Sequence, residues 1–458
     1  MQETISVQCC IAGGGPAGMM LGLLMARAGV SVLVLEKHAD FLRDFRGDTL
    51  HPSTLEIMHE LGMLERFLLL PHQKVSRINA RFGDLEFTVA DFSHLPTRCR
   101  YVAFMPQWDF LNFLVEEGNR HPTFQVRMST EVTDLIEHEG SFVGLRAETP
   151  NGPLDVRAAL VVGADGRHSI VRTCAGLSVE EFGAPMDVLW FRLSRKPSDP
   201  VDPMGRFDAG RLFIMLNRGD YWQCGFVIAK GSLGEIRAQG LPLFRESVAK
   251  LAPFAADHIH ELQDWELVKL LTVQVDRLRQ WYKPGLICIG DAAHAMSPVG
   301  GVGINLAIQD AVATANLLWQ PLRDGRVTEA DLAKVQARRA WPTEVTQRIQ
   351  LIVQNRVISR VLTRDSPLVP PFALRLLARF PFLRRIPARM IGLGVRGLNC
   401  VADRQSADSD NRRRLVEILP GQSSASSARY EWHRHPPVLH PAAAFIDNIT
   451  KALVSSPT

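Results

Sequence analysis

The residues best placed for chemistry are the glycines of Gly13-x-Gly15-x-x-Gly18 and the acid Glu36. Glycines at that spacing hold a phosphate chain. The first allows a tight turn, the second lets a pyrophosphate approach the backbone, and the third lets a helix pack closely on a strand. A helix starting at Pro16 and Ala17 would turn its free N–H groups and the positive end of its dipole toward the phosphates. An acid about 20 residues beyond such glycines accepts hydrogen bonds from a ribose, and Lys37 follows it here. Two further acids leave small-residue turns: Asp165 in Gly163-Ala164-Asp165-Gly166 and Asp291 in Gly290-Asp291-Ala292-Ala293-His294. The chemistry implied is dinucleotide binding. The glycine motif alone does not separate FAD from NAD.

Each of these groups needs an element to deliver it. Residues 5–12 read as a buried strand, 16–28 as a helix with Pro near its start and Gly29 beyond its end, and 30–35 as a second strand running into Glu36. Residues 160–163 and 285–289 repeat the pattern of a buried strand ending in an acid-bearing turn, and a glycine-rich loop then opens a helix at 306–319. Arg46 sits on a loop before a helix, in reach of a pyrophosphate. Gln107 precedes a helix over 108–118, and a hairpin is expected over 130–149. Residues 180–280 change character, with strands at 188–193, 212–216, 222–229 and 267–275 and a helix at 242–251. The organisation that follows is a nucleotide domain (1–74, 100–180, 281–330), a substrate domain (75–99, 181–280), C-terminal helices (331–400) and a polar tail over 401–458 that draws no core.

The chain of 458 residues can bury a large core, and 46% hydrophobic content is ordinary for an enzyme. A net charge of +4 is too mild to argue for nucleic acid. The seven cysteines show no CxxC pair and no zinc spacing, which fits reduced thiols in a cytoplasmic protein. No apolar run reaches bilayer length, and no basic region precedes the first apolar strand as in a signal peptide. Residues 367–397 alternate apolar and basic side chains, broken by Pro381 and Pro387. They read as a helical cap with a solvated basic face; weak contact with an acidic membrane surface is the sharper alternative.

Together, Gly13-x-Gly15-x-x-Gly18, Gly163-Ala164-Asp165-Gly166-x-x-Ser169-x-Val171-Arg172, and Gly290-Asp291-Ala292-Ala293-His294 with Pro298 and Gly303 closely resemble a known family. It is that of the single-component FAD-dependent aromatic hydroxylases, the para-hydroxybenzoate hydroxylase-like flavoprotein monooxygenases, ubiquinone-pathway hydroxylases included. The resemblance covers roughly residues 5–360 and weakens over 180–280. It implies an α/β fold: a Rossmann-like FAD-binding domain of the para-hydroxybenzoate hydroxylase and glutathione-reductase type, an inserted mixed-sheet substrate domain and a C-terminal helical region.

The resemblance also implies roles. Gly13, Gly15 and Gly18, with Pro16 and Ala17, would line the FAD pyrophosphate, and Glu36 beside Lys37 would hold the adenosine ribose. Arg46 would touch the pyrophosphate or incoming NAD(P)H, Gln107 would bind FAD at its helix start, and Val132 would meet adenine through its backbone. Asp165 would serve both FAD and NAD(P)H; Asp291, after Gly290, would hold the ribityl chain. Pro298 would sit by the reactive edge of the isoalloxazine, with Gly301-Val302-Gly303-Ile304-Asn305 facing its pyrimidine side. A helix N-terminus there would stabilise the negative charge of reduced flavin. NAD(P)H would reduce FAD, O2 would add at C4a, and the resulting hydroperoxide would pass oxygen to an aromatic or similar electron-rich, quinone-like molecule.

No catalytic base is assigned; His51, His294 and Arg192 are candidates by type only. Met215, Trp222, Gln223 and Val273 are candidates to line the substrate pocket, though alternation does not say which sheet face they use. The rival readings are a reductase or halogenase on the same fold, or a carrier without FAD. The Trp-x-Trp-x-Ile-Pro run of halogenases is absent from the chain, and the intact acids Glu36, Asp165 and Asp291 argue against a carrier.

Overall fold

A computed structural model describes residues 3–42, 49–83, 85–200, 203–363 and 370–395. Arg46 and the tail over 401–458 lie outside the described residues. The strand Glu3–Ala12 runs through the middle of the first sheet, its last four residues buried, as expected of a parallel strand covered on both faces. It pairs in parallel with Gly152–Gly163 on one side and Val32–Leu35 on the other. Leu286–Cys288 extends the sheet beyond the former and Phe124–Arg127 beyond the latter, both in parallel. This order, with crossovers on either side of the first strand, is that of a doubly wound sheet.

Cys9 and Ile11 face the helices Pro16–Arg27 and Gly303–Arg323, packing with Met20, Leu24, Ile308 and Val312. Cys10 and Ala12 point the other way, into a core with Leu145, Val156 and Val171, as strand alternation requires. That face is covered by the hairpin Glu131–His138 and Ser141–Thr149, which pairs onto the first half of Gly152–Gly163.

The second sheet has seven strands in the order Lys269–Leu271, Met186–Ser194, Tyr221–Ala229, Arg211–Asn217, Met204–Asp208, Arg77–Phe82 and Leu85–Asp91. It is mixed: Met204–Asp208 runs parallel to Arg77–Phe82 and antiparallel to Arg211–Asn217. The strand Met204–Asp208 escaped the sequence reading, and the strand expected over 267–275 shrinks to Lys269–Leu271. The reason for the second difference is local. The N–H of Val273 donates to Asp187 Oδ1 (3.0 Å) and its carbonyl accepts from Lys230 Nζ (2.6 Å), so side chains take the groups a ladder would use.

The helix Glu329–Val353 begins with a capping box between Thr328 and Asp331 and continues through Gln354–Ile358 and Ser359–Leu362. Phe372–Arg379, Pro381–Arg384 and Arg385–Leu393 then cross the edge of the second sheet. Among the described residues, no helix is long and apolar enough to cross a membrane.

The first helix sits on its strand only because Gly18 has no side chain. A Cβ there would lie 2.0 Å from the carbonyl oxygen of Gly13, a backbone atom that cannot swing aside. Gly18→Ala is expected to cost roughly 1–3 kcal/mol by overpacking, read as a lower denaturant midpoint with an unchanged slope.

Candidate functional site

The three motifs meet because the strands that carry them end flush. Ala12 is opposite both Leu35 and Gly163, and Gly163 is opposite Cys288. The bends beyond are stitched to one another: Gly13 N–H donates to Leu35 O (2.8 Å), Ala164 N–H to Ala12 O (2.8 Å), and Ile289 N–H to Gly163 O (2.9 Å). A Cβ on Gly13 would meet the Ala164 carbonyl oxygen at 2.4 Å, and one on Gly290 would meet the Ala17 Cβ at 3.1 Å. The first bend therefore touches both the second and the third. Gly13 itself needs a φ of +101°, which an L side chain rarely adopts.

Within this edge the surroundings suit a dinucleotide. The helix Pro16–Arg27 starts at Gly15 without a side-chain cap and without an acid in its first turn, so its leading N–H groups are left to a ligand. A Cβ on Gly15 would have nothing within 4 Å, so open space lies before the backbone where a pyrophosphate approaches. Glu36 is buried, and its carboxylate accepts from Gly14 N–H (2.9 Å) and His38 N–H (3.0 Å). Those bonds fix its orientation at the end of the strand. The backbone of Glu36 also receives Thr130 N–H (2.9 Å), which brings the start of the Glu131–His138 strand, with Val132, alongside it. Lys37 points into solvent.

Asp165 is the most telling group. One oxygen accepts from Val171 N–H (3.2 Å); the other, Oδ1, is buried with no partner. Burial pushes its pKa up, partly offset by hydrogen bonds from Ser169 and Val171. An unpaired buried carboxylate oxygen is costly, and a hydroxyl or amide donor of a bound cofactor would satisfy it. Asp291 lies half-buried on the short turn Gly290–Ala292. Beyond it Pro298 is exposed, Gly300 and Gly301 have φ of +79° and +61°, and the helix Gly303–Arg323 opens with no side-chain cap and no acid in its first turn. A second uncapped helix N-terminus thus lies beside the first, with Gly303 and Ile304 half-buried. Gln107 begins the helix Gln107–Gly118, also half-buried.

A family model described as an FAD binding domain matches residues 6–349. The chain belongs to that family. A 6-methylpretetramide 4-monooxygenase of Streptomyces rimosus is 32% identical over 383 residues, covering 83% of this chain and 91% of that protein. A "Probable NADH-specific resorcinol 4-hydroxylase" of Rhodococcus jostii (strain RHA1) is 27% identical over 339 residues, 69% of this chain; the match spans 58% of the relative's length. Among solved structures, the p-nitrophenol 4-monooxygenase PnpA of Pseudomonas putida DLL-E4 superposes with a TM-score of 0.69 at 22% identity, covering 86% of this chain and 100% of that one. The fold is that of the flavoprotein monooxygenases, and the resident cofactor of this family is FAD.

Around the Asp291 turn and the Pro298 loop, Asp310, Gln347 and Gln350, which the sequence reading did not single out, hold the backbone. Asp310, inside the Gly303–Arg323 helix, is fully buried; its Oδ2 accepts from Gly290 N–H (3.0 Å) and His294 Nε2 (2.6 Å), and its Oδ1 from Arg339 Nε (2.7 Å). Burial alone would raise the pKa of Asp310, but His294 and Arg339 hold it below the usual carboxylate range. His294 is therefore a strut under the Asp291 turn. The helix Glu329–Val353 adds a ladder. Gln347 donates to Asp276 O (2.7 Å) and Ala295 O (3.1 Å), and Gln350 to Ser297 O and Val299 O (both 2.8 Å), so the backbone on either side of Pro298 is pinned. The side chain of Asn305 accepts from His51 N–H (2.8 Å) and Thr54 Oγ1 (2.7 Å) and donates to Thr49 O (3.1 Å), which ties the start of its helix to the 49–54 segment.

The second sheet resolves the question of faces. Met215 and Trp222 point away from the Pro298 loop, into a core with Phe191, Phe213 and the Leu241–Leu251 helix; they do not line a pocket, contrary to the sequence reading. Val273 packs instead with Val188, Leu212, Val227 and Trp190 against Val299 of that loop. Gln223 alternates with Trp222 and so shares that opposite face, where it accepts from Arg218 Nε (3.0 Å). The Trp190 ring lies over Gly225, whose Cβ would come within 3.1 Å of it.

His51 is no free base. It is buried, its Nδ1–H donates to Ile391 O (2.7 Å), and burial pushes its pKa from 6.5 down to about 4. The unfolded chain takes up the proton more readily, so stability is complete above pH 6.5 and falls as the pH drops toward about 4. Urea unfolding at stepped pH is expected to show this loss, and His51→Asn to flatten it. Gly15→Ala, with space for its methyl, is expected to leave the unfolding midpoint within about 0.5 kcal/mol and to weaken flavin affinity about tenfold or more, measured by fluorescence titration of the apoprotein.

Proposed function

We propose that this chain is a monooxygenase that uses NAD(P)H and O2 to hydroxylate an aromatic or similarly electron-rich, quinone-like small molecule at FAD. The observation that carries the reading is the meeting of three acid-bearing bends and two uncapped helix N-termini at one sheet edge, with the Oδ1 of Asp165 buried and awaiting a donor. FAD held here would supply the redox chemistry between NAD(P)H and O2.

The chain's own residues bind, orient and exclude water. Glu36 and the backbone near Val132 hold the adenosine end, and the Gly13–Gly18 turn the pyrophosphate. Asp165 and Asp291 take hydroxyl donors between them. Pro298 and the N–H groups from Gly301 to Asn305 frame the flavin edge, where the dipole of the Gly303–Arg323 helix favours negative charge. Trp190, Val227 and Val273 give the substrate side an apolar wall that keeps water out. In this reading Gln107 binds FAD at its helix start and Lys37 accompanies the ribose acid, and the role at the pyrophosphate or incoming NAD(P)H falls to Arg46, which lies outside the described residues. A cytoplasmic location suits the buried reduced cysteines Cys9, Cys10, Cys224 and Cys288, and the basic C-terminal helices supply weak contact with a membrane surface.

Purified protein is expected to be yellow and to oxidise NAD(P)H faster when a phenol is added in the presence of O2, with one oxygen atom from labelled O2 in the product. Substrate reduction without O2 would sink the proposal in favour of a reductase, and a colourless protein that takes up no FAD in favour of a carrier. Asp165→Asn keeps the shape and is expected to cost about tenfold or more in flavin affinity, as loss of a hydrogen bond to a charged group does.

A further inference from the structure

The segment 370–395 carries Arg375, Arg379, Arg384, Arg385 and Arg389 and no acidic residue, while the whole chain has a net charge of only +4. The remainder is therefore close to neutral in sum, while this segment is wholly cationic. Among the described residues, none of the five guanidinium groups is ion-paired. Arg384 braces the fold through the Leu377 carbonyl (3.0 Å), and Arg385 Nη2 lies 3.5 Å from His94 Nε2; Arg375, Arg379 and Arg389 are exposed.

The same segment carries apolar side chains on both its inner and its outer face, the outer ones set among the arginines. The inner face is used by the fold. Leu374 packs on Phe82 and Phe87, and Ala388, Ile391 and Leu393 join the core of Val75, Phe92 and Phe104. The outer face still presents Phe372 (57% exposed), Leu376 (36%), Phe380 (43%) and Phe382 (62%) to solvent. Phe380 and Phe382 stand edge to face at 6.1 Å, with Arg379 over Phe380 at 5.9 Å. Folding does not require this outer face to be greasy, and it places aromatic rings and unpaired arginines side by side. Aromatic rings that enter an acyl boundary while arginines meet phosphates are the chemistry of a peripheral contact with anionic lipid.

We propose that the outer face of residues 372–389 docks this protein onto an anionic lipid surface. An acidic soluble protein would need the arginines but not a run of exposed Phe; a second copy of this chain would bring like charge against like. The contact is peripheral, since no described helix spans a bilayer. It is also coupled to the flavin edge: the same helix delivers Ile391 O to His51 and Leu393 O to Gln309. The proposal does not rest on the flavin reading, because flavin absorbance of the same samples reports that separately.

The test is co-sedimentation of the full chain with vesicles of phosphatidylcholine alone or with one-third phosphatidylglycerol, at low and high salt. Binding to the anionic vesicles, released by salt, is expected. Phe380→Ser/Phe382→Ser and, separately, Arg375→Glu/Arg379→Glu/Arg385→Glu should each lower it about tenfold or more while flavin content and thermal midpoint stay as in the parent. No binding to anionic vesicles, equal binding to both vesicle types, or binding untouched by both variants overturns the proposal. So does a dimer in sedimentation velocity that the Phe pair dissolves, which would make the face a contact between copies. Capture by soluble polyglutamate as strong as by vesicles, with the Phe pair indifferent, would point to an acidic protein and equally overturn it.

Discussion

Three backbone hydrogen bonds in a row, Gly13 to Leu35, Ala164 to Ala12 and Ile289 to Gly163, fix the height at which four parallel strands stop. Everything the site does depends on that common level. A slip of one residue in any strand would exchange the side chains meant for its two different cores and carry its acid away from the others. The glycines make the level attainable: Gly13 and Gly18 admit backbone where a methyl would collide, and Gly290 lets the third bend rest on Ala17. Sheet register thus does the work that a cluster of catalytic side chains does in other enzymes, and it suits a protein whose reactive atoms belong to a cofactor.

The nucleotide half was legible in the sequence because its signals are local and mutually consistent. Strand, glycine turn, helix and acid follow one another within a short span around Glu36 and again around Asp165 and Asp291, and each step obeys a simple periodicity. The second sheet was legible in its strands but not in its faces. Trp222 and Gln223 are neighbours that point in opposite directions, and with both sides of the sheet covered, nothing in the apolar pattern says which cover is helix and which is the Pro298 loop. Met204–Asp208 was missed because every one of its residues is only half-buried, so neither alternation nor a continuous apolar run marks it.

The supporting shell was hidden for a different reason. Arg339, Thr343, Gln347, Gln350 and Gln354 recur at helical spacing and are all buried, yet a search for amphipathic helices looks for apolar stripes. This helix turns a polar stripe inward because what it covers there is the loop backbone over 295–299 and the carbonyl of Asp276, which need donors. Asp310 was likewise concealed inside an apolar helix. Its partners come from Gly290, His294 and Arg339, distant enough in sequence that no short motif contains them. With one partner removed, such a buried charge pair would forfeit roughly 3–5 kcal/mol.

That polar stripe has a bearing on how this architecture can be rebuilt. The loop around Pro298 is shaped less by the segment that contains it than by amide groups borrowed from a helix that begins at Glu329. Anyone exchanging segments between relatives would have to transplant loop and brace as one inheritance, since a foreign helix with leucines at those rungs would leave the carbonyls of Ser297 and Val299 without donors and the loop itself without its scaffold.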